Sequence, residues 1–325
     1  AITGYFVYGW SGYSVSGAGD FNGDGLDDVI IGAPCANIHA GISYVIYGTR
    51  EQPSVIDLAT LTHSQGFSII GHNVGDYSGF SVSGAGSFTG KKFKDVIIGA
   101  PGASDLDGEV YLIYGNSTVR SPIYLQNMTK EQGMYIYGQE GLSGFSVGSA
   151  GDFDGDGDDD VIIGAPLANY GLGIAYVIYG ENRPSFPVYL SSLFPDEGLS
   201  ILGTEGMTGF AVNGAGDVNG DQNDDVIISA PLGNDGSGIS YVIYGNDNSQ
   251  SFSVQNLGSR GFSLIGQEGT MSGLSVSGLG NMTGGIYDDI CVSSNGTVYM
   301  IYGSGSGFVT PSPSSPPTPK PTTNQ

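Results

Sequence analysis

One motif occurs five times in this chain and sets the period of the whole sequence. The first copy, GYSVSGAGDFNGDGLDDVIIGAP, begins at Gly12, and a worn copy begins at Gly273. The starts of successive copies are 67, 65, 65 and 64 residues apart. Because one unit of this size cannot bury its own apolar faces, repetition at a fixed period predicts a stacked or circular fold. We number the copies repeats 1 to 5 in chain order.

Each full repeat contains four short β-like runs, which we name a, b, c and d. In repeat 2 these runs are residues 80–83, 95–98, 110–114 and 134–137. They are rich in β-branched and aromatic residues and are bounded by glycine, which is typical of strands. Four strands per repeat, with apolar residues on both faces of the inner strands, predict an all-β β-propeller in which each four-stranded blade lies between two neighbours.

The two ends of the chain are complementary in strand content. The chain opens with a d-like run at residues 5–9, and repeat 5 ends after a c run at residues 298–303. If the N-terminal strand completes the last blade, the ring has no exposed edge, so we predict five closed blades. We assign residues 1–308 to this propeller and residues 309–325, rich in Pro, Ser and Thr, to an extended linker or stalk.

The loop between the a and b strands carries clustered acidic side chains in three repeats. Alternate positions of this nine-residue loop hold oxygen side chains, and Ca²⁺ requires about six to eight oxygen ligands. Gly25 and Gly157 at position 6 permit a sharp bend. The predicted ligands are Asp20, Asn22, Asp24, the Leu26 carbonyl and Asp28 in repeat 1; Asp152, Asp154, Asp156, the Asp158 carbonyl and Asp160 in repeat 3; and Asp217, Asn219, Asp221, the Asn223 carbonyl and Asp225 in repeat 4.

The alternative interpretation of these loops is a set of Asx turns with solvated acids. Three occurrences at one repeat position favour calcium instead, so we predict about three Ca²⁺ ions. Gln222 replaces the position-6 glycine of repeat 4 and costs about 1–2 kcal/mol in a left-handed turn, which predicts a weaker site.

The corresponding loops of repeats 2 and 5, residues 87–95 and 281–289, lack the acidic set. They are therefore not expected to bind calcium well. Lys91 occupies a ligand position, and its ammonium beside Asp95 is a candidate substitute for the ion. The alternative for this segment is a cluster of solvated lysines.

At these residues the repeat resembles the FG-GAP repeat of integrin α-subunit propellers. Gly79 and Phe80 match the FG part, and residues 99–101 match the GAP part. The resemblance implies calcium on one rim of the propeller and engagement of ligands and partner subunits on the opposite face. Propellers of that family generally have seven blades, so the alternative to a closed five-bladed ring is part of a seven-bladed ring.

Charge and histidine content limit the function classes. The chain has 9 Lys and Arg against 32 Asp and Glu, and its net charge of −23 disfavours nucleic acid and acidic membranes as partners. No run is long and apolar enough for membrane insertion. His39, His63 and His72 lie in no catalytic motif, and oxygen cages that saturate Ca²⁺ leave no open position, so we predict no enzyme activity.

Three non-enzymatic functions remain, all of them extracellular because loops of this type fill only where calcium is high. The first is cell-surface or matrix recognition through protein contacts. The second is a structural glycoprotein protomer of a fibre or matrix, which the sequons at Asn116, Asn127 and Asn295 would suit. A fourth sequon, at Asn281, opens the worn loop and has a structural alternative.

The third function is a carbohydrate-binding lectin. It depends on the aromatic pairs of the c strands, and the alternative for these tyrosines is packing between blades. The pairs are Tyr44/Tyr47, Tyr111/Tyr114, Tyr176/Tyr179 and Tyr241/Tyr244. The two cysteines, Cys35 and Cys291, are interpreted as buried free thiols, with a disulfide as the alternative.

Overall fold

The computed structural model describes residues 1–4, 8–51, 55–118, 122–180, 187–246 and 250–304. Over this part of the chain the fold is all-β, as predicted, and repeats 1 to 4 each form an antiparallel sheet in the order a, b, c, d. The strands of repeat 1 are β2 (Ser14–Gly19), β3 (Asp28–Ala33), β4 (Ile42–Ile46) and β6 (Gly66–Ile70). Those of repeat 2 are β7 (Ser81–Gly86), β8 (Asp95–Ala100), β9 (Glu109–Ile113) and β11 (Gly133–Tyr137).

The later repeats follow the same plan, except that repeat 5 has three strands among the described residues. Repeat 3 consists of β12 (Ser146–Gly151), β13 (Asp160–Ala165), β14 (Ile174–Ile178) and β16 (Gly198–Leu202). Repeat 4 consists of β17 (Val212–Gly216), β18 (Asp225–Ala230), β19 (Ile239–Ile243) and β21 (Gly261–Ile265). Repeat 5 consists of β22 (Val276–Gly280), β23 (Asp289–Ser294) and β24 (Thr297–Ile301).

Short parallel strands pair each of repeats 2 to 4 with the repeat before it. They lie between the c and d strands and are β5 (Ile56–Asp57), β10 (Ile123–Tyr124), β15 (Val188–Tyr189) and β20 (Phe252–Ser253). The strand β10 pairs with β6 of repeat 1, and β15 and β20 pair in the same way with β11 and β16. In repeat 1, β5 pairs with β1 (Ile2–Thr3).

Short helical turns complete each repeat. The b-to-c connections are α1 (Ala36–His39), α2 (Ala103–Leu106), α3 (Ala168–Gly171) and α4 (Gly233–Gly236), and their central residues have left-handed φ. 3-10 helices span Leu58–Thr60, Leu125–Asn127, Leu190–Ser192, Val254–Asn256 and Gly258–Arg260. Because each b strand begins at the a-to-b loop, the turns α1 to α4 lie at the opposite end of the sheets from the acidic loops.

The core lies between repeats rather than inside them. Four of the five apolar clusters combine residues of neighbouring repeats, as where Ile30 and Val45 of repeat 1 pack with Val96 of repeat 2. The inner strands β2, β7, β12, β17 and β22 contact one another in that order. This arrangement is β-propeller-like, because each sheet buries its faces against the next sheet.

The tyrosines of the c strands belong to this core. Tyr44, Tyr111, Tyr176 and Tyr241 are buried, and each lies in an apolar cluster. Tyr111, Tyr176 and Tyr241 therefore pack between repeats, the alternative to sugar binding, whereas Tyr44 packs within repeat 1. Carbohydrate binding stays an untested hypothesis.

Closure of the ring is not confirmed. Within the described residues, β22 makes no contact with β2 of the kind that joins the other inner strands, and no fourth strand pairs with β24. Residues 5–7 of the expected N-terminal d strand lie outside the described residues, and Tyr8 adopts a left-handed φ of 69°. The extended pairing near the N-terminus involves Ile2–Thr3 instead.

Three further features bear on the predictions. Cys35 and Cys291 are free thiols, as predicted, but both are half-buried rather than buried. No helix of the described residues has the length and apolar character that a membrane crossing requires. The linker at residues 309–325 and the last residues of the proposed propeller domain lie outside the described residues.

Candidate metal centre

The acidic loops leave the sheets at a bulge. In each repeat the register between the a and b strands shifts just before the loop, as between Gly17 and Gly19 in repeat 1. A bulge bends its strand and re-aims the chain that follows. Position 6 of the loops has the expected left-handed φ: 86° at Gly25, 99° at Gly157 and 78° at Gln222.

The aspartate at position 9 of the loop is buried in all five repeats. In repeat 1, Asp28 Oδ2 accepts hydrogen bonds from the backbone N–H groups of Phe21 and Asn22 at 3.0 and 3.2 Å. Its Oδ1 accepts one from Gly48 at 2.8 Å. Equivalent bonds hold Asp95, Asp160, Asp225 and Asp289. Because repeats 2 and 5 share this arrangement, position 9 is first of all a structural residue.

Burial makes the position-9 carboxyls of the three acidic loops hard to ionise. It raises the pKa of Asp160 to about 8, and the negative charge of Asp154 adds to the rise, while bonds from backbone N–H groups oppose it. Burial likewise raises the pKa of Asp225 to about 8 and that of Asp28 to about 6. A cation beside these groups would favour their ionised forms.

Repeat 3 brings three of the predicted ligands together. One carboxylate oxygen each from Asp152, Asp154 and Asp156 lies within 4.8 Å of the others. Two oxygens on opposite sides of one Ca²⁺ ion, each at about 2.4 Å, have about this separation. Asp152 Oδ1 is buried and has no hydrogen-bond partner, whereas Asp152 Oδ2 accepts a bond from the Gly157 N–H at 3.1 Å. The donor set and the unpartnered oxygen fit a hard cation.

The loops of repeats 1 and 4 are built alike, with an asparagine at position 3. The Asn22 side-chain amide donates to Asp24 Oδ2 at 3.1 Å, and that of Asn219 donates to Asp221 Oδ2 at 2.9 Å. The backbone N–H groups at position 7, on Leu26, Asp158 and Asn223, donate to the position-5 carboxylate of each loop. The role of their carbonyls as ligands stays a prediction.

In the loop of repeat 2, the substitution of an ion by Lys91 stays a prediction. The Lys91 ammonium lies 5.5 Å from the centre of the Tyr114 ring, and its charge only partly offsets the burial that raises the pKa of Asp95. The ion pair found in this part of the described structure joins Lys94 Nζ to Asp159 of repeat 3, at 3.5 Å.

The carboxylate at position 8 was missed by the sequence reasoning. In repeats 3, 4 and 5 it accepts a hydrogen bond from the position-1 backbone N–H of the preceding repeat. The pairs are Asp159 with Ser87, Asp224 with Asp152, and Asp288 with Asp217. We call these side chains the inter-repeat carboxylates. The signal for them lies in the paired aspartates at positions 8 and 9 of the loop.

The sequons differ in access. Asn127 and Asn295 are exposed, whereas Asn116 is half-buried and its Oδ1 accepts bonds from the Thr118 N–H and hydroxyl. Asn281 is exposed, and its amide donates to the Gly285 carbonyl. Modification of these residues stays a prediction.

Known protein families and relatives match parts of the same repeats. The FG-GAP repeat family matches residues 11–46 and 143–178. Integrin alpha-5 of Xenopus laevis is 32% identical over 177 residues, which are 52% of this chain and 15% of that protein. Integrin alpha-PS2 of Drosophila melanogaster is 29% identical over 230 residues, which are 67% of this chain and 15% of that protein. Integrin alpha pat-2 of Caenorhabditis briggsae is 30% identical over 243 residues, which cover 67% of this chain and 18% of that protein.

These matches define the class of protein. The chain is an FG-GAP repeat protein with a β-propeller-like fold. It is integrin-like in sequence, and the aligned part spans less than a fifth of the length of these integrin α relatives.

Proposed function

We propose that this chain is an extracellular, non-catalytic recognition module for protein partners, made rigid by about three Ca²⁺ ions in the loops of repeats 1, 3 and 4. The predicted ligands are the fifteen residues named from the sequence, with Asp160 and its equivalents held in place by the fold itself.

The single observation that carries the calcium assignment is the carboxylate cluster of repeat 3. Three acids meet there, and a buried Asp152 oxygen has no hydrogen-bond partner. A buried, unpaired anionic oxygen costs free energy unless a cation or donor satisfies it. A bound Ca²⁺ ion would neutralise the cluster and supply that missing interaction.

The mechanical consequence follows from the inter-repeat carboxylates. Asp224 of repeat 4 holds the backbone of Asp152, so the loop of repeat 3 is part of the joint between two repeats. Ordering this loop with calcium would therefore stiffen the joint and keep the rest of the sheet at a fixed orientation.

The rim opposite the acidic loops is the proposed recognition surface. Its turns expose large apolar side chains in left-handed conformations, including Ile38, Leu106 and Tyr170, the last being 100% exposed. Large residues rarely adopt this conformation, and such strain is characteristic of functional sites. Similarity to integrin α subunits supports a recognition role at the cell surface or in the matrix.

Calcium binding is tested by counting ions with native mass spectrometry and by thermal melting with calcium and with chelator. Asp156→Ala should lose one ion and part of the calcium-induced rise in Tm. The matched control is Lys91→Ala, which changes the same loop position in repeat 2 and should leave the ion count unchanged. An unchanged count in Asp156→Ala would refute the site in repeat 3.

Recognition is tested by adhesion of cells to surfaces coated with the purified chain. We expect attachment in calcium and its loss in chelator. Tyr170→Ser should reduce attachment, whereas Phe194→Ser, at an exposed aromatic residue near the acidic-loop end of the sheet, should not. Equal attachment to the two variants would contradict the proposed surface.

A further inference from the structure

A row of aromatic side chains crosses the rim that bears the turns α1 to α4. The rings of Tyr13, Phe80, Phe145 and Phe210 belong to repeats 1 to 4 in that order, and successive centroids lie 5.0, 5.0 and 5.1 Å apart. Trp10 stacks on Tyr13 at 5.7 Å. We call these five side chains the aromatic row. Phe80 and Phe145 have a ring neighbour on both sides, so the middle of the row lies inside the array of repeats.

The rings of the row are tilted against one another. The interplanar angles from Tyr13 to Phe80, Phe145 and Phe210 are 48°, 44° and 47° at successive steps. The three phenylalanines are half-buried, so the fold fixes their orientation. Tilted neighbours leave a cleft between each pair of rings, and an apolar ring of a ligand can pack there.

An apolar cavity lies beside the row. Its volume is about 210 Å³, and its lining includes Tyr77, Phe80, Leu106, Leu142 and Phe145. Leu106 is 58% exposed. The φ angles of Leu106 and Leu142 are 75° and 64°, and such strained backbone is characteristic of functional sites. Row and cavity together form an apolar docking surface on the rim.

The rim around this surface is acidic. Its d-to-a and b-to-c connections contain Asp76, Asp105, Asp107, Glu109, Glu140, Glu205, Asp235 and Glu268. The Lys and Arg residues of the described part of the chain lie at the acidic-loop end of the sheets instead: Arg50, Lys91, Lys92, Lys94, Lys130 and Arg260. A ligand that complements this rim is therefore apolar, free of acidic groups and weakly basic.

The Pro-rich segment of this chain has this chemistry. Residues 309–321 contain no acidic side chain and one basic side chain, Lys320. Pro313, Pro316 and Pro319 are spaced three residues apart. A polyproline II helix has three residues per turn and rises about 3.1 Å per residue, so these prolines share one face at intervals of about 9 Å.

The spacing of these prolines matches that of the rings. Two steps of 5.0 Å along the row, from Tyr13 through Phe80 to Phe145, cover at most about 10 Å. Prolines about 9 Å apart on one face of the helix therefore meet every second cleft. Proline-rich segments bind aromatic-lined grooves because their helix is already extended and loses little conformational entropy.

We propose that the aromatic row binds the Pro-rich segment of a second copy of this chain. Pro313, Pro316 and Pro319 enter clefts of the row, and Lys320 lies against the acidic rim. The strand β24 ends at the acidic-loop end of repeat 5, where the Gly303 N–H donates to Asp289, so the segment begins on the side away from its own rim. Such a contact is heterologous and joins copies into an open chain.

Binding of the segment rests on the recognition surface proposed above and names one occupant for it. The two proposals fail in different experiments, because segment binding is measured with a peptide and recognition of other partners by cell attachment. Cell attachment without peptide binding would overturn the binding of the segment alone. Peptide binding without cell attachment would overturn the adhesive role alone.

The test is fluorescence anisotropy of a labelled synthetic peptide of residues 309–321, titrated with the purified full chain. We expect saturable binding that weakens as sodium chloride is added, because salt screens the attraction between Lys320 and the acidic rim. No saturable binding up to a chain concentration of about 1 mM, which corresponds to about −4 kcal/mol, would overturn the proposal.

Two peptide variants compare faces of the helix. The peptide with Pro313→Ala and Pro319→Ala loses two prolines of the binding face and should bind at least about ten-fold more weakly. The peptide with Pro311→Ala and Pro317→Ala loses two prolines of another face, with the same loss of polyproline II preference, and should bind within about two-fold of the original. Equal weakening of the two would contradict the predicted face.

Two variants of the full chain locate the surface. Leu106→Ser removes an exposed apolar wall of the cavity, and Phe145→Ser removes a ring of the row. Each should weaken peptide binding about ten-fold. Leu106→Ser carries the test should Phe145→Ser not fold, as judged by its thermal melt. Phe194→Ser, at the acidic-loop end, is the control and should bind the peptide like wild type. Unchanged binding in folded Leu106→Ser and Phe145→Ser would place the segment elsewhere.

Sedimentation velocity of the full chain shows which copy supplies the segment. We expect species larger than one chain at high concentration, and an excess of the 309–321 peptide should dissociate them. The full chain with Pro313→Ala and Pro319→Ala should stay monomeric and still bind the peptide through its intact row. A wild-type chain that stays monomeric, with higher peptide affinity in this double variant, would place the segment on its own rim and overturn binding between copies.

Discussion

The backbone N–H of Asp152 donates a 3.0 Å hydrogen bond to Asp224 Oδ2, so the first residue of one acidic loop is held by the next repeat. Burial raises the pKa of the Asp224 carboxyl, and the nearby charges of Asp159 and Asp288 add to the rise. A metal loop and an inter-repeat joint are therefore one structural unit.

Loss of this hydrogen bond should weaken both the joint between the repeats and calcium binding in repeat 3. Asp224→Ala leaves the Asp152 N–H unsatisfied, so we expect the free energy of unfolding in chelator to fall by about 1–3 kcal/mol. Calcium affinity of the repeat 3 loop should fall as well, because Asp152 loses its support. Denaturant titration and calorimetry measure the two effects. Asp235→Ala, exposed on α4, is the control, and equal stability of the two variants would contradict the role of Asp224.

The left-handed residue at position 6 of repeat 4 predicts a substitution that stabilises the chain. Gln222 has a φ of 78°, where glycine carries no steric penalty. Gln222→Gly should stabilise the chain by about 1 kcal/mol and tighten calcium binding in repeat 4. The reverse change, Gly157→Gln in repeat 3, should destabilise it by a similar amount. Unfolding followed by circular dichroism measures both changes in stability. A loss of stability in Gln222→Gly would contradict backbone strain at Gln222.

The buried Asp95 carboxyl predicts a pH dependence outside the calcium loops. Its pKa is raised by burial, against hydrogen bonds from Gly115 and Thr89 that lower it. At pH below about 3.9, the usual Asp pKa, the Asp95 carboxyl is protonated in both the folded and the unfolded state. Its contribution to folding stability is then fully present. As pH rises, the unfolded state ionises first, so stability falls until the folded carboxyl ionises too.

Asp95→Asn removes this titration and should flatten the fall in stability with pH. The amide cannot accept both backbone bonds, so the slope rather than the absolute stability is the quantity to compare. Urea unfolding in chelator from about pH 4 to 7 measures it. Asp105→Asn, at an exposed residue of α2, should keep the wild-type slope. An identical slope in Asp95→Asn would show that another group is responsible.

The difference in exposure between Val15 and Val82, at the same position of repeats 1 and 2, has a thermodynamic test. Val82→Ala removes buried methyl groups and should cost about 2 kcal/mol of unfolding free energy. Val15→Ala changes the same position of repeat 1, where the side chain is exposed, and should cost less than about 0.5 kcal/mol in the monomer. Denaturation at low concentration compares them. Equal losses would mean that Val15 is as well packed as Val82.

Local sequence determined the repeat, the strands and the acidic loops. The runs a to d of repeat 2 coincide with β7, β8, β9 and β11, because alternating apolar residues and glycine boundaries act over a few residues. The left-handed turn at Gly25 and Gln222 followed from position alone. Only the tertiary structure decided which oxygens face one another and that Asp224 supports Asp152 across a joint. Those features depend on the angle between neighbouring sheets, which arises from packing of residues distant in the chain and leaves no local pattern.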